Sequence, residues 1–219
     1  MQLIDGLQHY KTTTYFPWAL CLEKDAECIF QLIQQYNTNP PEFALSKAKQ
    51  FLIDIENWKA GCLQTRIGNA CQNSDQIIWN AIYGAANSED DRGAILAIME
   101  LKGFGSAVDD STGQRRAKVA TSVLRFLWPK KWGVVDWRVA AMLGFLDKNK
   151  WDTNNAVNEA KCSNANDYRG DFNIIDERGA IAYNKRYRDI SDQYSSILPR
   201  AADVDMAVFG LSLLVWPMP

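Results

Sequence analysis

Histidine is almost missing from this chain: His9 is the only one in 219 residues. Catalytic triads that need an imidazole base, histidine-rich metal centres and paired histidine acid–base systems would all have to rest on that single side chain. If the chain is an enzyme, its chemistry falls to Lys, Asp, Glu, Tyr or Cys. Cysteine is sparse too. Cys21, Cys28, Cys62, Cys71 and Cys162 are odd in number, scattered and free of any CxxC pair. Neither a disulfide framework nor a zinc site is expected, and a reducing, cytoplasmic setting fits best. No apolar run reaches the 18 residues of a membrane span, and MQLIDGLQHYKTTTYF lacks the basic and apolar regions of a secretory signal. Repeats and low-complexity tracts are absent as well.

What is present suits a packed core. Hydrophobic residues make up 47% and charged residues 23%, ordinary for a folded domain, and eight Trp, eight Tyr and nine Phe supply large packing groups. The apolar spacing is helical nearly throughout. Ala26 to Tyr36 reads as a helix stopped by Asn37-Thr38-Asn39-Pro40-Pro41. Glu42 to Trp58 is a second, and Ser74 or Asp75 caps a third that ends at Gly84. Ser88 caps a helix to about Leu101. Arg115 to Trp128 forms another, closed by Pro129, and Asp136 looks like the N-cap of WRVAAMLGFL. Polar residues 147–180 read as loops. Ile181 to Leu198 is helical, and Asp203 or Asp205 caps a last helix. No run of alternating strands stands out, so the expected class is all-α.

Charge is uneven. The chain carries a net −2, yet residues 101–138 hold eight basic side chains (Lys102, Arg115, Arg116, Lys118, Arg125, Lys130, Lys131, Arg138) against Asp109, Asp110 and Asp136. A basic island on an acidic protein suits either a polyanion or a solvated charged surface. The turn at Gly103-Phe104-Gly105 joins two helices and would expose backbone N–H groups, a weak phosphate-binding signal. On the next helix Lys118 shares a face with Thr121, Ser122 and Arg125, opposite Val119, Val123, Phe126 and Leu127. That face is expected to look onto a cleft or solvent. Read alone, Lys118 is a surface lysine and Asp136 a helix cap.

Leu101 to Gly105, then Lys118, then Val135-Asp136 resemble the helix-hairpin-helix (HhH-GPD) DNA glycosylases. In that superfamily a glycine hairpin precedes a helix bearing a nucleophilic lysine, and a Val-Asp stretch supplies an essential aspartate. The 18 residues from Lys118 to Asp136 match that pattern. VLRFLWPKKWGVVDWRVAAML looks closest to small bacterial proteins of the 8-oxoguanine glycosylase-like fold. Two departures stand out: Lys102 replaces the usual proline, and SAVDDSTGQRRA is inserted between hairpin and lysine, where it would reshape the DNA contact or the pocket mouth. The four-cysteine iron–sulfur run of the endonuclease III branch is absent.

The resemblance implies a two-lobed helical glycosylase with no cofactor, one lobe spanning 26–128 and the other 1–25 plus 129–219. Lys118 and Asp136 would be catalytic. Asp136, at a helix N-terminus, would stay ionised and stabilise an oxocarbenium-like transition state, while Lys118 attacks C1′ and permits AP-lyase chemistry through a Schiff base. DNA would be held by Lys102, Gly103, Gly105, Arg115, Arg116, Arg125, Lys130, Lys131 and Arg138. The flipped base would meet Trp137, Tyr183, Tyr187 and Phe209, and Gln34, Gln35 and Asn37 would wedge the gap it leaves. The partner would be double-stranded DNA, bound by a monomer away from membranes. The substrate would be an oxidised purine such as 8-oxoguanine, or a hypermodified base in phage DNA, excised as antiviral defence. The alternative is a helix-hairpin-helix module that grips DNA without chemistry.

Overall fold

The computed structural model describes residues 2–59, 70–105, 117–143 and 175–215. Among these, nine α-helices and one short 3-10 turn form the architecture, and no strand is present. The all-α expectation is met. None of these helices is long and apolar enough to cross a membrane.

Helix α1 (Leu3–Lys11) is followed by α2 (Tyr15–Tyr36) and α3 (Glu42–Lys59). The sequence pattern revealed only the second half of α2. Its first half carries Pro17, tolerated there because first-turn N–H groups have no partner within a helix. Helix α4 (Asp75–Ala86) has Ser74 as its N-cap, accepting from the Ile77 N–H, and runs through Gly84 instead of ending there. Helix α5 (Asp91–Met99) is capped by Asp90, which accepts from the Gly93 N–H, and not by the expected Ser88. Then come α6 (Ala117–Leu127), α7 (Trp137–Leu143), α8 (Glu177–Gln193), capped by Asp176, and α9 (Ala201–Val215). Asp203 and Asp205 lie inside α9, not ahead of it, with Asp203 in its first turn.

Two features set the packing. First, α1 lies directly on α9, at opposite ends of the chain. A Cβ on Gly6 would overlap the Ala207 carbonyl oxygen, and one on Gly210 would overlap the Gly6 carbonyl oxygen. Only glycine permits that approach. Second, α6 is enclosed by α2, α3, α5 and α8. Every residue from Ala120 to Leu127 is buried, including Thr121, Ser122 and Arg125. The polar face expected to look outward is therefore also interior, and only the N-terminal end of the helix, at Lys118 and Val119, is partly open. The reasoning from periodicity assumed a helix covered on one side, and this one is covered all round.

Candidate active site

A cavity of about 100 Å³ opens where five separate parts of the chain converge. Its walls are aromatic: Tyr10 from α1, Tyr15 from α2, Trp58 from α3 and Phe209 from α9. These rings lock edge to face, with centroids 6.1 Å apart for Tyr10–Phe209, 5.6 Å for Tyr15–Phe209 and 6.1 Å for Tyr15–Trp58. The Trp58 Nε1–H donates to the Tyr15 carbonyl at 3.1 Å. Such edge-to-face contacts hold a rigid apolar wall. Into it project four charged side chains: Lys59, Asp136, Arg138 and Asp205.

Asp136 owes its place to a pinned connector. Residues 132–136 connect α6 to α7 without regular secondary structure. The Gly133 N–H donates to Asn184 Oδ1 at 2.7 Å, the Val135 N–H to Thr121 Oγ1 at 3.0 Å, and the Tyr187 hydroxyl to the Val134 carbonyl at 2.7 Å. At Gly133 a Cβ would press on Asp205 and the Tyr187 ring. Asp136 then opens α7 as expected: its Oδ1 accepts from the Arg138 N–H at 2.9 Å and its carbonyl from the Ala140 N–H. Its Oδ2 lies 3.6 Å from Lys59 Nζ, with 17% of the Asp136 side chain and 18% of the Lys59 side chain exposed.

The electrostatics separate the two carboxylates. Burial pushes Asp136 upward, but Lys59, Lys118 and the Arg138 N–H outweigh it and hold the carboxyl below its usual range. Burial raises Asp205 to about 6, against the lowering pull of Arg125, the Val134 backbone and Lys59. Burial also lowers Lys59 to about 8; Asp136 opposes this and Lys118 reinforces it. At neutral pH the site thus holds an ionised carboxylate, a second carboxylate that titrates just below neutrality, and an amine partly in its neutral form. Paired acids of unlike proton affinity are a recurring feature of acid–base sites.

Sequence-predicted residues fall into three groups. Asp136, Arg138 and Phe209 line the cavity. Lys118 does not line it, though its charge reaches both Asp136 and Lys59. Lys102, Lys130 and Lys131 are exposed, and Gly103, at φ 82°, forms the expected glycine turn. Asn73 braces that turn, accepting from the Lys102 N–H at 2.9 Å and donating to its carbonyl at 3.1 Å, so this N–H is already used.

Several expectations need correction. Arg125 cannot contact DNA from its position: it is 0% exposed, pairs with Glu23 at 2.9 Å, and lies 4.3 Å from the Phe126 ring centroid and 5.7 Å from that of Trp58. Gly105 is buried against the Met99 backbone. Tyr183 and Tyr187 are fully buried behind the cavity, where Tyr187 holds the connector. Gln34, Gln35 and Asn37 are exposed but sit at the far end of α2 from Tyr15, about 30 Å along its axis, too distant to wedge a base seated in this cavity. Of the 106–117 insertion, residues 106–116, with Arg115 and Arg116, lie outside the described residues, as does the side chain of Trp137.

Lys59, Asp205, Tyr10, Tyr15 and Trp58 escaped the sequence reading. A signal existed for Asp205: a second carboxylate after Asp203 in the largely apolar AADVDMAVFGLSLLV, too far into the helix to cap it. Lys59, a lysine at a helix end like Lys11, had none. No family model, curated protein or solved structure matches the chain.

Proposed function

We propose that this chain is a DNA glycosylase that excises a modified base in the cavity beside Asp136. One observation carries the reading: an ionised carboxylate at a helix N-terminus, 3.6 Å from the Lys59 amine and within the field of Lys118, in an aromatic-walled opening. Breaking the base–sugar bond builds positive charge on C1′ and its ring oxygen. A fixed anion in a partly dry site stabilises that charge more than it stabilises the neutral ground state. Rigid aromatic faces suit a flat, unstacked base. An amine at the same carboxylate supports the second reaction, imine formation with the sugar and strand cleavage; the family resemblance assigns this role to Lys118. On this reading the helices make two lobes of the helix-hairpin-helix glycosylase type, a monomer closing on duplex DNA, with exposed Lys102, Lys130 and Lys131 meeting phosphates.

The test is a panel of duplexes carrying oxidised purines, alkylated bases and glycosylated pyrimidines, scored for abasic sites. Release from at least one duplex, lost in Asp136→Asn, supports the reading. Tight, salt-sensitive binding with no release from any duplex would leave only the non-catalytic DNA-binding module.

A further inference from the structure

We propose that Lys59 is the amine that forms the covalent imine with the C1′ aldehyde of an abasic deoxyribose in this cavity, a step that rests on the glycosylase reading above.

Position favours Lys59. It lines the cavity and Lys118 does not. Its Nζ lies 3.6 Å from Asp136 Oδ2, so an atom held by that carboxylate is within its reach. The end of α3 is firmly seated: Trp58 donates to the Tyr15 carbonyl, and its ring meets Phe126 edge to face at 4.9 Å. The amine is only 18% exposed and faces charges from three other elements: Asp136 ahead of α7, Lys118 on α6 and Asp205 on α9. Desolvation together with the cationic Lys118 favours the neutral form, the form that attacks carbonyl carbon. Lys118 then acts as a positioning residue, a nearby charge that adds to desolvation in lowering the proton affinity of Lys59.

The step balances. The neutral Nζ lone pair attacks C1′, and the carbonyl π electrons move onto oxygen, which takes a proton from solvent. The nitrogen releases one proton to Asp136, giving a neutral carbinolamine. Asp136 returns that proton to the hydroxyl, which leaves as water while the nitrogen lone pair forms the C=N bond. The products are a protonated imine and one water.

The experiment is borohydride reduction of the full chain mixed with a duplex containing a single abasic site, followed by peptide mapping of the adduct. Lys59→Arg keeps the charge beside Asp136 but supplies no amine. The expected result is an adduct on Lys59 and trapping reduced about a hundredfold in Lys59→Arg, with duplex binding unchanged; Lys118→Arg retains trapping within about tenfold. An adduct on Lys118, or wild-type trapping by Lys59→Arg, overturns the proposal and leaves the glycosylase reading intact. Base release without any trapping does the same. Neither release nor trapping, from any duplex, removes both.

Discussion

Trp58 stands between two cation–carboxylate pairs that use the same ingredients to different ends. On one side Arg125 is fully buried, 2.9 Å from Glu23, which also takes Arg200 at 2.8 Å. On the other, Lys59 and Asp136 meet at a looser 3.6 Å in an open cavity. The guanidinium is planar, always charged and doubly supported by Glu23 and the Phe126 face, so it can be sealed in. The ammonium is a compact charge that sheds its proton when desolvated, and partial burial lowers it to about 8. The closed pair fastens α6 to α2. The open pair leaves its charged groups partly exposed to the cavity.

The widest gap between the two pairs should appear with Asp136→Asn. Asparagine still caps α7, so the fold should hold while single-turnover base release falls by about a thousandfold, the scale of losing a fixed charge at a developing cation. Arg125→Met should behave in the opposite way. It leaves the partly buried Glu23 with Arg200 alone and should cost about 3 kcal/mol in urea unfolding, while base release by the folded fraction falls far less than in Asp136→Asn.

A smaller effect is expected from pH. If Lys59 attacks as a free amine, the trapping rate should climb about tenfold between pH 7 and well above 8, then level off. Stability follows the two shifts with opposite signs. The folded chain releases the Lys59 proton before the unfolded chain does, so this group adds stability as pH rises from about 8 toward 10.5. Asp205 keeps its proton longer when folded, so its contribution is full below 3.8 and is lost as pH rises to about 6. Thermal midpoints of wild type against Lys59→Met and Asp205→Asn, followed across these two windows, check both signs. The smallest effect belongs to the exposed surface: the double variant Lys130→Ala, Lys131→Ala should reduce the slope of log affinity against log salt by about 2 and weaken duplex binding several-fold at moderate salt.

Local chemistry was legible in the sequence where a residue acts on its own neighbours. Asp136 capping α7, Ser74 capping α4, Pro129 following α6 and Gly103 turning the chain all follow from backbone needs within a few residues. Arg125 was misread because spacing along one helix cannot reveal that other helices cover both faces. The cavity was hidden for a related reason. Tyr10, Tyr15, Lys59, Asp136 and Asp205 come from five places in the chain, and the connector that brings Asp136 to Lys59 is held by Asn184, Tyr187 and Thr121, none adjacent in sequence. Lys59 became visible only with the distance to its partner.

The most direct measurement is single-turnover excision on the duplex panel, wild type beside Asp136→Asn, with folding of each verified by circular dichroism. A modified base set free by the wild type and retained by the folded variant is the predicted result. Equal release by both proteins, or none from any duplex that the wild type binds, would contradict a catalytic carboxylate at this position.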